Sequence, residues 1–382
     1  DFKEIHEVCK PGTRILLDDG LLELKVESVK GDKVQCRVIY GGLLKERKGI
    51  NIPGVNLPVD CLTEKDLKDL EFGLENNVDY VALSFVRKAS DINKLRELIN
   101  LKKPGIKIVA KIEMLEAIEN LEDIVNVSDA VMVARGDLAV EVGQSLLPGI
   151  QKRIIKLCNQ LGKPVITATQ MLDSMVENPR PTRAEVTDVA NAVMDGSDAC
   201  MLSAESASGK YPFKCIHTMH EIIIEVEKTN IEYYRLSFDR SFGSIPQSIS
   251  ASACLSAQKL NATAIVCLTS SGKTATMISA IRPKCRVIAV THMEETLNKL
   301  ELVWGIQSFR INPYRSTDEA MSQIEDLLLR YNLVKAGDRV VLTLGVPVIE
   351  QAKTNSMRVY TISGEAETVP EEEMPLRCRT TS

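Results

Sequence analysis

Ala130-Val131-Met132-Val133-Ala134-Arg135-Gly136-Asp137-Leu138 is an apolar run that breaks off in Arg-Gly-Asp. A run without polar alternation reads as a strand buried on both faces, the kind found in parallel sheets. Upstream, Lys111-Ile112-Glu113 closes a second such run over 106–111. An ammonium and two carboxylates therefore fall at the C-terminal ends of neighbouring predicted strands, where α/β enzymes assemble their active sites. Lys111 and Glu113 alternate on one strand end, so both side chains point the same way. Glu113 and Asp137 offer two oxygen ligands for Mg²⁺ or Mn²⁺, which keeps waters and takes its remaining ligands from substrate. Gly136 has no Cβ, which lets backbone N–H groups meet an anion. The pattern asks for a divalent cation and a phosphorylated acid. Taken singly, Lys111–Glu113 also reads as a surface pair and Arg-Gly-Asp as a turn. Complementary halves of one site on two strand ends favour function.

Working outward, strand-like runs recur at 80–85, 106–111, 130–134, 165–168 and 199–202. Helical patterns separate them at 90–101, 146–161 and 183–194, and another follows at 212–228. Thr63 is placed to cap a helix running to about Asn76, with Asp66 completing a capping box. Buried strands alternating with helices every ~25–35 residues predict parallel βα units. A (β/α)8 TIM-type barrel is built this way, although only five such strands can be counted.

Residues 1–57 have a different texture. Short alternating runs at 14–17, 21–29 and 33–40, separated by Asp18-Asp19-Gly20 and Gly31-Asp32, predict a small β meander. The barrel region is assigned to 58–228 and a C-terminal open α/β domain to 229–364, after a polar linker near 241–247. In that domain helices are expected at 248–259, 274–281, 294–302 and 317–333, and strands at 264–268, 286–290, 306–311, 339–344 and 357–362. The tail 365–382 is expected to be disordered.

Composition narrows the function classes. The chain has 382 residues, 44% hydrophobic and 26% charged, an ordinary globular balance that allows two or three domains. A net charge of −5 gives no support to nucleic-acid binding through a basic surface. No apolar stretch approaches the length of a membrane span. Ten cysteines are scattered without CxxC spacing, several inside apolar runs (Cys158, Cys200, Cys254, Cys267), which reads as reduced core thiols.

Further hydroxyls close predicted strands. Thr167-Ala168-Thr169-Gln170-Met171 ends one and Ser203-Ala204-Glu205-Ser206 the next. They can bind substrate oxygens or relay a proton, and helix capping explains either alone. Asn178-Pro179-Arg180-Pro181-Thr182-Arg183 reads as a rigid basic loop. Thr269-Ser270-Ser271-Gly272-Lys273-Thr274 lies between a strand and a helix. It ends like a P-loop, but the position of the first glycine, 267, is Cys, so the Walker reading fails. A hydroxyl-rich loop at a helix start still suits a phosphate, with a capped helix start as the alternative. His217 and His220 lie i,i+3 on a helix without a third ligand, which reads as a solvated face.

Lys48-Gly49-Ile50-Asn51-Ile52-Pro53-Gly54, Ser84-Phe85-Val86-Arg87, Lys111-Ile112-Glu113, Met132 to Leu138, Ile166 to Met175, Asn178 to Glu185, Asp188-Val189-Ala190-Asn191-Ala192 and Asp195 to Glu205 occur in this order. Together they resemble the pyruvate kinase family, with the likeness spanning about 10 to 362. The resemblance implies phosphoryl transfer from phosphoenolpyruvate to ADP, a glycolytic reaction. By carry-over, Glu113 and Asp137 hold Mg²⁺ or Mn²⁺. The Gly136 and Asp137 amides and the Thr169 hydroxyl bind the substrate carboxylate. Lys111 neutralises charge on the moving phosphoryl group, Ser84 contacts the phosphate region, and Lys48 reaches the nucleotide phosphates. Thr169, Ser203 and Glu205 stand where the family places its proton relay. Residues 269–274 would cradle a phosphorylated allosteric effector, with Thr354-Asn355 closing the same domain. Ala139 replaces the usual glycine, which should tighten the turn after Leu138.

The resemblance further implies a cytoplasmic homotetramer with no nucleic-acid or membrane partner, an organellar address remaining open. The family's first three barrel strands, the opening of its β module and its K⁺ site find no counterpart here. The sequence is accordingly expected to be an incomplete chain, inactive or barely active alone. Two alternatives stay open: a catalytically silent effector-binding or assembly fragment, and a relative acting on carbon–carbon bonds. Intact Lys111, Glu113, Asp137 and Thr169 argue against the first, and the Lys48 loop against the second.

Overall fold

The computed structural model describes residues 4–18, 20–44, 46, 49–55, 60–229, 243–348 and 352–364. Lys48, residues 241 and 242 of the 241–247 linker and the 365–382 tail lie outside these residues. The chain parts into two compact units, Asp1–Leu161, Val165–Asp195 and Cys200–Ile222 in one, Gly162–Pro164, Gly196–Ala199 and Ile223–Ser382 in the other.

The first unit opens with β1 (Arg14–Leu17), β2 (Leu22–Lys30), β3 (Lys33–Tyr40) and β4 (Ile50–Asn51), paired antiparallel in the order β3-β2-β1-β4. Gly31, at φ 58°, supplies the left-handed turn between β2 and β3. β4 was not anticipated, because two residues carry no readable periodicity.

A parallel sheet follows: β5 (Tyr80–Leu83), β6 (Lys107–Ile112), β7 (Ala130–Ala134), β8 (Val165–Ala168) and β9 (Ala199–Cys200), in sequence order. β7 sits at its centre and is buried at every position, which is why its sequence shows no polar alternation. Ile108, Ala110 and Ile112 of β6 and Val131 and Val133 of β7 pack with Ile92, Leu95, Ile124, Ile154 and Ile155 of the covering helices. Burying each such aliphatic side chain contributes about 1.5–3 kcal/mol. β5 and β9 are the ends of this five-stranded sheet, so among the described residues the barrel is open.

The helices between these strands begin where local chemistry dictates. Thr63 accepts from Asp66 N–H while Asp66 accepts from Thr63 N–H, the expected capping box of the helix Glu64–Glu75. Thr182 and Glu185 make an unanticipated second box at the helix Arg183–Asp195, so the Asn178–Arg183 loop ends as a cap. Arg135–Val142 is a helix, with Ala139 inside it, which corrects the expected turn. Two short helices, Leu115–Glu119 and Leu121–Val127, also escaped sequence periodicity.

The second unit holds β10 (Ala264–Leu268), β11 (Arg286–Thr291), β12 (Ile306–Arg310), β13 (Arg339–Leu344) and β14 (Ser356–Thr361). Their order is β12-β11-β10-β13-β14, parallel except for the antiparallel edge strand β14. The order reverses at β10 and β13, the crevice where open α/β sheets bind ligands. No described helix is long and apolar enough to cross a membrane.

Candidate active site

Three hydrogen-bonded groups line the C-terminal ends of β5 to β9. The first joins Ser84, Lys111 and Glu113. Lys111 Nζ donates to Ser84 Oγ at 2.7 Å and pairs with Glu113 Oε1 at 2.7 Å. Glu113 is 1% exposed, and its Oε2 accepts from the Phe85 N–H at 2.7 Å. Phe85 has φ 53°, a left-handed backbone that costs a β-region residue roughly 1–3 kcal/mol and is characteristic of functional sites. Its aimed N–H shows what that backbone achieves: a carboxylate held without solvent.

The second group joins β7 and β8. Gly136 N–H, in the first turn of the helix Arg135–Val142, donates to Thr169 Oγ1 at 2.9 Å. That helix has no side-chain cap of its own, so a hydroxyl from the next strand satisfies one of its free donors. A Cβ at Gly136 would meet only Thr169 Oγ1, at 3.9 Å, leaving the space above this turn open. Asp137 follows in the same turn. Together with burial, its charge pushes the Glu141 carboxyl above its ordinary value.

The third group joins β8 and β9. Glu205, 1% exposed, accepts from Leu172 N–H at 3.1 Å and from Ser203 N–H at 2.7 Å. It ties the segment after Thr169 to the segment carrying Ser203. A cavity of about 1270 Å³ opens beside Ser84 and Phe85 and runs along β5 and the helix Glu64–Glu75.

The donor set fits a hard divalent cation. Glu113, Asp137 and the Ser84 hydroxyl are oxygen donors, which match Mg²⁺ or Mn²⁺. Among the described residues no group of three or more His, Cys, Asp or Glu side chains could hold a metal by itself. An ion of this kind keeps waters and takes ligands from substrate, so two protein carboxylates are a sufficient set for it. His217 is exposed and pairs with Glu221 at 3.3 Å, the solvated helix face expected of it.

In the second unit, Thr269 Oγ1 accepts from Gly272 N–H at 3.0 Å, and Thr296 Oγ1 donates to Ser270 O at 2.7 Å. The buried Thr274 hydroxyl pairs with that of Thr354, bringing Thr354 to this loop. Asn355 bonds both the N–H and the carbonyl of Val346. Of residues 269–274, Ser271 and Lys273 face solvent, while Thr269, Gly272 and Thr274 are buried.

Residues 1–216 match the family model described as pyruvate kinase, barrel domain, and residues 247–360 match pyruvate kinase, alpha/beta domain. This chain belongs to the pyruvate kinase family. A pyruvate kinase of Geobacillus stearothermophilus is 47% identical over 358 residues, 92% of this chain and 61% of the relative. One from Clostridium acetobutylicum is 44% identical over 365 residues, 94% of this chain and 77% of the relative. The crystal structure of a pyruvate kinase from Cryptosporidium parvum superposes with a TM-score of 0.88 at 34% identity, covering 94% of this chain and 74% of that one. The chain thus spans about three fifths of the length of the Geobacillus pyruvate kinase.

Two residues of the family's barrel domain were passed over in the sequence. Arg135 stands inside the stretch that decided the fold, and Asp188 inside a motif shared with pyruvate kinases, but neither carried a role. Arg135 Nη1 contacts both Asp188 carboxylate oxygens at 2.7 Å. The available signal was the arginine beside Gly-Asp: a charge at the end of an all-apolar strand needs a partner.

Proposed function

We propose that this chain carries the catalytic machinery by which a pyruvate kinase transfers the phosphoryl group of phosphoenolpyruvate to ADP, giving pyruvate and ATP in glycolysis. The array of Ser84, Lys111 and buried Glu113 carries this reading. Phosphoryl transfer asks little covalent chemistry of a protein; positioning and charge stabilisation do most of it. Lys111, oriented by Ser84 and Glu113, neutralises charge on the moving phosphoryl group. Glu113 and Asp137 would hold Mg²⁺ or Mn²⁺, which supplies charge neutralisation to phosphoryl and carboxylate oxygens when bound.

The opening turn of the helix Arg135–Val142 and the Thr169 hydroxyl bind the substrate carboxylate. Because Thr169 Oγ1 accepts from Gly136 N–H, its own proton is left to donate. Only the Asp137 amide of the pair expected at the carboxylate would then face it directly, with Gly136 acting through Thr169. The enolate left after transfer needs a proton, and Thr169, Ser203 and Glu205 form its relay. Lys48 is proposed to reach nucleotide phosphates, and residues 269–274 a phosphorylated effector presented to Ser271 and Lys273. K⁺ activation, a homotetrameric assembly and a cytoplasmic setting complete the proposal; no nucleic-acid or membrane partner belongs to it.

The test is Mn²⁺-dependent binding of phosphoenolpyruvate, measured by calorimetry beside ADP-dependent pyruvate formation with Mg²⁺ and K⁺. Binding that requires Mn²⁺ and is lost in Glu113→Gln supports the reading. Binding indifferent to both, or none at all, removes it.

A further inference from the structure

Arg135 is 8% exposed and sits where β7 passes into its helix. A guanidinium has five N–H groups and accepts nothing. Here it makes five contacts: Nε to Ala168 O at 3.1 Å, Nη1 to both Asp188 oxygens at 2.7 Å, Nη2 to Thr169 O at 2.6 Å and to Met171 Sδ at 2.9 Å. Nε, Nη1 and Nη2 thus each bond a group of the protein, and the guanidinium is committed to holding β7, β8 and the helix Arg183–Asp195 together. Three of the four residues it touches are the last residue of β8 and two in the segment just after it.

That segment is backbone-strained. Thr169 and Gln170 both lie in the left-handed region, at φ 69° and 52°. Such a conformation costs each roughly 1–3 kcal/mol and persists only where surrounding structure holds it. Thr169 is gripped at both ends by consecutive residues: Arg135 holds its carbonyl and Gly136 its hydroxyl.

We propose that Arg135, itself aligned by Asp188, is a positioning residue that sets Thr169 for the substrate carboxylate. This rests on the reading of Thr169 given above. The strained backbone turns the Thr169 side chain toward the Gly136–Asp137 turn, and the fork of Arg135 keeps it there. Lysine has no planar fork and cannot replace it.

The test uses Arg135→Lys and Asp188→Asn, the second retaining the arginine should the first fold poorly. Hydrogen exchange of the Gly136 and Leu172 amides is measured without ligand, and Mn²⁺ and phosphoenolpyruvate affinities are measured by titration. Expected are faster exchange at both amides, a phosphoenolpyruvate affinity weaker by about tenfold to a hundredfold, and Mn²⁺ affinity within about twofold of wild type. Unchanged exchange in both variants overturns the clamp. Mn²⁺ and phosphoenolpyruvate affinities falling together with the melting temperature overturn it in favour of a purely structural pair. If wild type binds neither probe while exchange still responds, the functional reading fails, and the positioning role falls with it while the contact itself stands.

Discussion

Lys111 and Glu113, two residues apart on one strand end, form an ion pair of 2.7 Å in which the carboxylate is 1% exposed and the lysine side chain 26%. A carboxylate so enclosed depends on its partners. Lys111→Met should destabilise the protein by about 3 kcal/mol, since among the described residues it leaves that buried charge with the Phe85 N–H alone. Adding Glu113→Leu should recover much of that loss. A double-mutant cycle by chemical denaturation checks it: additive losses would show that the two side chains are not coupled.

Metal affinity should separate the two carboxylates from the rest of the site. Glu113→Gln and Asp137→Asn are each expected to weaken Mn²⁺ binding by about tenfold or more, near 1.4 kcal/mol. Ser203→Ala should leave it unchanged. Mn²⁺ paramagnetic resonance reads all three.

Acid stability follows from Asp129. Burial opposes its ionisation, but the Ile108 N–H, Lys107 and Arg96 outweigh burial and hold its carboxyl below the ordinary 3.8. A depressed acid contributes stability above its unfolded value and loses it as pH falls through the folded one. The stability difference between wild type and Asp129→Asn should be constant above about pH 5 and shrink below pH 3.8. Denaturant midpoints across that range measure it, and a difference that grows on acidification would contradict it.

Burial pushes the Cys200 and Cys267 thiols up to about 12. For Cys200, Asp188 adds to the rise and Arg135 offsets part of it. Thiolate is the reactive form, so both should resist iodoacetamide at about pH 8 in the folded protein. Peptide mass spectrometry after native labelling checks this, and stoichiometric modification of either would refute it.

Gly272 sits at φ 77°, and a Cβ there would approach Leu300 Cδ2 to 2.8 Å. Gly272→Ala should cost more than about 1 kcal/mol and loosen the 269–274 loop. Thermal unfolding of the variant, with exchange at the Gly272 amide's neighbours, gives the answer.

Strands such as Ala130–Ala134, Val165–Ala168, Ala264–Leu268 and Arg339–Leu344 were readable to the residue, because their almost complete burial leaves them as mainly apolar runs without polar alternation. The capping box at Thr63 and Asp66 was readable because both partners lie three residues apart. Local order of this kind, the βα rhythm and the identity of Lys111, Glu113, Asp137 and Thr169 were all present in one dimension. The helix Arg135–Val142 was not, because its capping hydroxyl comes from Thr169, 33 residues away. The same holds for Arg135, whose five contacts gather residues 33 to 53 positions distant. Propensity and periodicity act over a few residues, whereas a buried charge is satisfied by whatever the sheet brings alongside. Chain order could name the groups at this site; only packing β7 against β8 could show that Arg135 and Gly136 hold Thr169 in place.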